Sequence, residues 1–295
     1  MPITEIEGRR LTLTHLDRIL YPQAGTVKGQ LVHYYATIAP VLLPHVHGRP
    51  VSFLRAPNGV DGKSFFAKRP PAGTPTWVTT AVTELAHHEE MEQVQINDLA
   101  TLVWAANLAC IELHVPQWKA ARPGIADRLV LDLDPGEDRT IVDCCRVALL
   151  LRERMRADGL ESWAKTTGSK GLHVYASLTG ASPEQASAYA KALARELEGD
   201  HPDLVVSKMS RTLRAEKIFI DWSQNAAAKT TAAPYTVRAR ATPTVSTPVS
   251  WDEIEECGEP TQLSFTIDDV PDRVTAHGDL LAPLLNRDQA GTLPS

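Results

Sequence analysis

The chain is 295 residues long, 43% hydrophobic and 22% charged, with a formal net charge of −6; this balance fits a folded protein with a large core, built as one big domain or two lobes. No apolar run approaches the ~20 residues of a membrane helix, and Met-Pro-Ile-Thr-Glu lacks the basic and apolar regions of a signal peptide, so a cytoplasmic protein with no membrane partner is expected. The negative total argues against nucleic acid only until its distribution is read.

Residues 1–75 carry nine Lys/Arg against four Asp/Glu, a balance of +5 that leaves −11 for the rest. Local basic surface, rather than overall charge, attracts a phosphate backbone; uneven surface charge is the plain alternative. A short alternating stretch opens the chain, followed by Leu16-Asp-Arg-Ile-Leu-Tyr-Pro22. A helix-like Lys28–Tyr35 comes next, which Pro40 and Pro44 should break. A strand is expected at Val51–Arg55, and the turn Asn58–Gly62 leads to Ser64-Phe-Phe-Ala-Lys-Arg69 before a loop at Pro70 and Pro71. Segment 84–92 is polar and reads as an exposed loop or helix end. Its adjacent His87 and His88 cannot easily face one metal from a helix, so they read as surface.

Helical spacing runs over Asp98–Ile111, and the strand 129–134 follows. A helix from about Thr140 to Gly159 would bury Val142, Cys145, Leu149 and Leu150. Residues 172–178 read as a strand. Ser182-Pro-Glu-Gln185 starts a helix, with Ser as cap and Gln placed for a capping box. Ala186, Tyr189, Ala190, Leu193 and Leu197 mark its buried face, and Gly199 its end. Lys217–Ser223 reads as a third strand, inside a stretch, 205–240, with seven Lys/Arg against two acids. From Ala241 come Thr, Pro and Ser, a short helix at Trp251–Glu256 and a polar tail. Cys110, Cys144, Cys145 and Cys257 lack C-x-x-C spacing and fit thiols in a reducing compartment.

The chemistry concentrates on Arg128-Leu-Val-Leu-Asp-Leu-Asp-Pro135. Period two puts Leu129, Leu131 and Leu133 on one strand face and Val130, Asp132 and Asp134 on the other. The two carboxylates lie roughly 6–7 Å apart along the backbone, where each raises the other's pKa unless a cation intervenes. Hard carboxylate oxygens suit Mg²⁺ or Mn²⁺ better than Zn²⁺, and Pro135 sets the pair at a strand end. Two solvated acids on an edge strand remain the alternative. Asp221 sits opposite Ile218, Ile220 and Trp222 in strand period, and three acids at two strand ends suit a pair of metals ~3.5–4 Å apart. Between them lies Thr166-Thr-Gly-Ser-Lys-Gly-Leu-His173, whose glycines allow a tight anion-facing turn, with Ser169 and Lys170 as phosphate contacts. The order of a Walker loop is absent.

Asp-Leu-Asp-Pro at 132–135, Thr-Gly-Ser-Lys-Gly-Leu-His at 167–173 and Ile-Asp-Trp-Ser-Gln-Asn at 220–225 together resemble the three motifs of bacterial end-joining primase-polymerases, in the archaeo-eukaryotic primase superfamily. The likeness covers nearly the whole chain, including Leu113-His-Val-Pro-Gln-Trp118, Ser210-Arg-Thr-Leu-Arg214 and Tyr235-Thr-Val-Arg-Ala-Arg240. It implies an α+β fold: a primase-type catalytic sheet flanked by helices, with a second sheet-bearing N-terminal lobe. One domain would span 1–295, with DNA contacts from about 1–97, the catalytic part at about 98–240 and an extension at 241–295.

Asp132, Asp134 and Asp221 would then hold two Mn²⁺ or Mg²⁺ ions. Thr167, Ser169, Lys170, Gly171 and His173 would hold the triphosphate, with Arg238 beside it. His114 would lie near the sugar 2′-hydroxyl, in keeping with a ribonucleotide preference. Phe65 or Phe66 would stack on a base, core packing being the alternative. Arg211 and Arg214 would engage primer–template. Arg18, Lys28 and Arg55 match the 5′-phosphate pocket, and Lys63 and Lys68 add DNA contacts. Leu54 replaces a lysine of that pocket, and His15 stands where relatives tend to have Asn, so 5′-phosphate recognition should be weaker.

The resemblance implies template-dependent addition of one or a few nucleotides, NTP or dNTP, at short gaps or ends. The partners implied are gapped or 5′-phosphorylated DNA, a separate DNA ligase (no adenylation motif is seen) and an end-binding protein. A non-catalytic DNA-end module and a two-metal nuclease are the competing classes. The acid trio counts against the first, the Gly-Ser-Lys-Gly turn against the second.

Overall fold

The computed structural model describes residues 2–84 and 90–294; His87 and His88 lie outside them. In chain order the elements are β1 (Ile3–Ile6), β2 (Arg9–Thr12), β3 (Ile19–Tyr21), β4 (Thr26–Val27), α1 (Lys28–Val46), β5 (Ser52–Arg55), β6 (Phe65–Ala67), β7 (Thr80–Glu84), β8 (Glu90–Val94), α2 (Leu99–Asn107) and β9 (Cys110–Val115). There follow β10 (Ala126–Pro135), α3 (Ile141–Ala157), β11 (Trp163–Thr166), β12 (Leu172–Ala181), α4 (Pro183–Asp200), β13 (Val205–Val206), β14 (Ile218–Asp221), β15 (Thr231–Ala232), β16 (Pro248–Val249), α5 (Trp251–Glu255) and α6 (Val270–His277). The expected α+β fold is what is found. No helix among the described residues is long and apolar enough to cross a membrane.

Two compact units divide the chain. The first comprises Met1–Val115, Thr231–Ser246 and Phe265–Gly278. Its four-stranded sheet runs β15-β9-β5-β6, all pairs antiparallel, beside the packed helices α1 and α2. Helix α1 corrects the sequence reading, for it passes through both prolines. Pro40 and Pro44 are four residues apart and both exposed, so the missing N–H groups fall on one solvent-facing stripe. Water can reach the carbonyls left there, while Leu31, Tyr35, Ile38 and Leu42 bury the opposite side. A second correction concerns 98–111. Asp98 caps α2 through the Thr101 N–H at 2.8 Å, but the helix stops at Asn107. Ala109 takes a left-handed φ of 55°, and Cys110–Val115 becomes a central strand.

The second unit comprises Pro116–Thr230, Thr247–Ser264 and Asp279–Ser295. Its six-stranded sheet runs β13-β14-β10-β12-β11-β16, antiparallel except for β13 with β14. Leu129, Leu131 and Leu133 are fully buried, as alternation required. On the other face Val130 and Tyr175 pack with Leu281 and Leu284, so the tail that read as polar in fact closes part of the sheet. Helix α3 begins at its Thr140 cap, yet its buried stripe is Ile141, Cys144, Cys145, Ala148 and Leu151. That is one position off the expected set; Val142, Leu149 and Leu150 are only half-buried. The α4 cap is as read: Gln185 N–H donates to the Ser182 hydroxyl at 3.2 Å and Ser182 N–H to Gln185 Oε1 at 2.8 Å. That helix runs one residue past Gly199.

Candidate active site

Within the second unit, strand β10 sets the geometry. Asp132 stands directly across from His173 on β12 and from Asp221 on β14. His173 in turn stands across from Lys165 on β11. Directly opposed residues share a sheet face, so four strands present one row: Lys165, His173, Asp132, Asp221. Asp134, two residues along β10, is on the same face and exposed.

The sequence after Asp221 explains why β14 stops there. Asp221 Oδ1 accepts from the Ser223 N–H at 3.0 Å and the Ser223 hydroxyl at 2.6 Å, and Oδ2 accepts from Gln224 Nε2 at 2.9 Å. These bonds cap a 3₁₀ turn at Trp222–Asn225. Asn225 then takes over the ladder: its Oδ1 receives the Val130 N–H at 2.9 Å, and its Nδ2 donates to the Val130 carbonyl at 2.7 Å. Asp132 Oδ1 lies 3.1 Å from His173 Nε2, and His173 Nδ1 lies 3.1 Å from the Tyr175 hydroxyl. Thus Asp132 and Asp221 engage protein partners, Asp134 is exposed, and no three His, Cys, Asp or Glu among the described residues lie at ligand spacing for one metal. Three carboxylates on one face at adjoining strand ends are nevertheless a hard-oxygen donor set that fits Mg²⁺ or Mn²⁺.

The turn at 167–171 is closed from within. Thr167 Oγ1 accepts the Ser169 and Gly171 N–H groups, each at 3.2 Å, and Thr167 N–H donates to the Gly171 carbonyl at 2.9 Å. Two amides expected to face an anion therefore point inward, and the Ser169 and Lys170 side chains are what the turn exposes. Gly171 answers to close approach: a Cβ there would fall 1.9 Å from the Leu133 carbonyl oxygen. Arg214 donates to the Met209 carbonyl at 2.6 Å and lies 3.4 Å above the Phe219 ring. The Arg211 side chain is not among those described.

The first unit holds a second constellation. Phe65 and Phe66 are 42% and 45% exposed, which rules out simple core packing. Phe66 meets the His114 ring edge-on at 5.2 Å. Arg55 covers Phe65 at 5.2 Å. His114 Nε2 lies 2.7 Å from Glu112 Oε2, and Arg238 Nε 3.2 Å from the same oxygen. Burial pushes the Glu112 carboxyl up, but His114, the Arg238 guanidinium and the Ala239 N–H outweigh it and hold its pKa at about 2. Glu112 was missed in the sequence reading, though it shares a strand face with His114, opposite Ile111, Leu113 and Val115.

The cations assigned to a phosphate pocket divide. Arg18 is exposed, as are Lys63 and Lys68. Lys28 is 4% exposed and donates to the Asn107 carbonyl at 2.8 Å. Arg55 donates to the Leu108 carbonyl at 3.2 Å. Both therefore cap the carbonyl end of α2, where positive charge is favoured. Desolvation, and then Arg18, lower the Lys28 pKa.

A mixed sheet flanked by helices, with an acid row beside a Gly-Ser-Lys-Gly turn, is the kind of domain that suits nucleotidyl transfer. The sequence matches the model of the family described as LigD, primase-polymerase domain, over residues 27–281, and the chain belongs to that family. It is 43% identical over 279 residues to the multifunctional non-homologous end joining protein LigD of Mycolicibacterium smegmatis, covering 93% of this chain and 36% of that protein. With the bifunctional non-homologous end joining protein LigD of Bacillus subtilis it shares 29% identity over 273 residues, 91% of this chain and 43% of that one. The chain thus spans well under half the length of these relatives. The polymerase domain of Mycobacterium tuberculosis ligase D, solved in complex with DNA, matches with a TM-score of 0.88 and 41% identity, over 94% of this chain and 98% of that one.

Proposed function

We propose that the chain acts as one primase-polymerase domain over 1–295 and adds one or a few nucleotides, ribonucleotides by preference, to a templated 3′ end at short gaps or ends during end-joining repair. The observation that carries this reading is the direct cross-strand pairing of Asp132 with Asp221, with Asp134 on the same face and the exposed Ser169 and Lys170 on the adjoining turn. Asp132, Asp134 and Asp221 would hold two Mn²⁺ or Mg²⁺ ions, which when bound activate a primer 3′-hydroxyl and offset charge on the leaving pyrophosphate.

Ser169 and Lys170 contact the triphosphate, Thr167 and Gly171 keep their turn in shape, and His173 holds Asp132 in place. Phe65 or Phe66 stacks on a base, which is indifferent to base identity. Glu112 orients His114 toward the sugar 2′-hydroxyl and holds Arg238. Arg18, Lys63, Lys68, Arg211 and Arg214 would contact DNA, whereas Lys28 and Arg55, already bonded to carbonyls at the end of α2, would add only their charge to a 5′-phosphate pocket that Leu54 further limits. Sealing falls to a DNA ligase and end recognition to an end-binding protein. Four buried, unbridged cysteines support a reducing compartment such as the cytoplasm.

The test is incubation with gapped DNA, Mn²⁺ and labelled nucleoside triphosphates. Extension is expected, with ribonucleotides ahead of deoxyribonucleotides. Shortening of the strand would point to a nuclease, and binding without either to a docking module.

A further inference from the structure

Helix α4 carries Lys191 and Arg195 four residues apart, neighbours on one face. A solvated helix face, where acids answer the cations, is the plain alternative. It holds elsewhere on α4, where Glu196 pairs with Arg154 at 2.7 Å. On this face the balance differs. Lys191 and Arg195, joined by Lys208 just after β13, line a groove of about 550 Å³ at the β13 edge of the sheet. Its one acid, Glu198, accepts from both the N–H and the hydroxyl of Ser207, so three cations face an acid that the fold already uses.

An aromatic ring stands among these charges. Trp222, the residue after Asp221, lies under the Lys191 ammonium, 4.4 Å from Nζ to the ring centroid. Its indole N–H donates to the Ser207 carbonyl at 3.0 Å, which fixes the ring in the groove wall. Met209 lines the same groove and is 51% exposed, an uncommon place for an apolar side chain unless something covers it. The loop that continues from Met209 carries Arg211 and Arg214, and Arg214 donates to the Met209 carbonyl at 2.6 Å. The groove therefore joins a basic loop to the strand end that carries Asp221.

We propose that this groove binds an unpaired single strand of nucleic acid, with phosphates on Lys191, Arg195 and Lys208 and a base against Trp222 and Met209. Cations along a groove, with a ring or apolar surface for the bases, hold a single strand without reading its sequence. An acidic peptide would use the cations and leave Trp222 and Met209 idle. The proposal rests on the reading of the chain as a DNA-end polymerase: an overhang or flap left at an end has its own seat, beginning one residue past Asp221.

The test is fluorescence anisotropy of the full chain with a labelled oligothymidylate of about eight nucleotides, titrated at several salt concentrations. Each phosphate contact to a single strand adds roughly 0.7 to the salt slope. Lys191→Ala/Arg195→Ala should then lower that slope by about 1.4 and weaken binding on the order of tenfold near 0.1 M salt. Lys191→Arg/Arg195→Lys, which keeps both charges, should stay near the parent. Met209→Ser should weaken binding with the slope unchanged, and nucleotide addition at a gap without an overhang should be the same in all three variants. An alanine variant that binds the oligonucleotide as the parent does overturns the proposal. So does a charge-keeping variant that falls with the alanine one, or polyglutamate displacing the strand as readily as unlabelled oligothymidylate. A parent that extends gapped DNA but ignores the oligonucleotide sinks the groove alone; one that neither extends nor binds gapped DNA sinks the polymerase reading.

Discussion

Asp132 pairs with His173 on one side and stands across from Asp221 on the other, so its removal disturbs the row at its centre. Asp132→Ala is expected to abolish nucleotide addition while binding to gapped DNA survives; extension assays and gel shifts on one preparation check both halves. Glu112 makes a pH prediction. Its folded pKa of about 2 lies below the ordinary 4.5, so its ionised form stabilises the fold at neutral pH. That contribution, about 3 kcal/mol, is present above pH ~4.5 and is lost as pH falls toward ~2. Glu112→Gln should therefore unfold more easily than the parent near neutral pH, with the gap narrowing below about pH 3; denaturant titrations at the two pH values measure it. Gly171→Ala drives a methyl into the Leu133 carbonyl and should cost about 3 kcal/mol, read as a lower denaturant midpoint. The acids and Gly171 were legible because strand period and a Gly-Ser-Lys-Gly turn are local patterns. Lys165 and Glu112 were not, because a charged residue in a short strand reads as exposed until neighbouring strands bury it.

Among the elements, those with strong end signals were read well: the Ser182 cap sits where the sequence put it, and the helix read from about Thr140 starts there. Errors arose where two patterns overlap. Leu99 to Ala106 is helical in spacing, and the alternation Ile111-Glu-Leu-His-Val115 that follows is a strand signal, yet the apolar run between them hides the seam. Ala109, an alanine in a left-handed conformation, marks the seam without a glycine to announce it. Helix α1 failed for the opposite reason. A proline rule that holds in a buried helix is relaxed where both missing donors face water. Pro40→Ala should restore one backbone hydrogen bond and raise stability by about 1–3 kcal/mol, visible as a higher melting temperature with unchanged far-ultraviolet circular dichroism. No gain on that substitution would mean that the missing N–H costs the helix nothing there.

At the scale of the molecule, the proposed binding of DNA by a chain of net charge −6 must run through local basic surface. Affinity for gapped DNA should then drop steeply between about 50 and 200 mM salt, and a flat salt response would remove the electrostatic part of the reading. A 5′-phosphate at the gap should improve binding only modestly, because Leu54 offers no charge and Lys28 and Arg55 already serve the end of α2. Competition between phosphorylated and unphosphorylated gaps measures that preference. The path of the chain has one more consequence. Each unit is assembled from three separated stretches, and Phe265–Gly278 and Asp279–Ser295 belong to different ones. During synthesis on the ribosome neither unit is complete when residue 260 emerges, so both must wait, partly formed, for the segments that follow it. Cutting the gene between them would yield two fragments that each lack a piece of themselves.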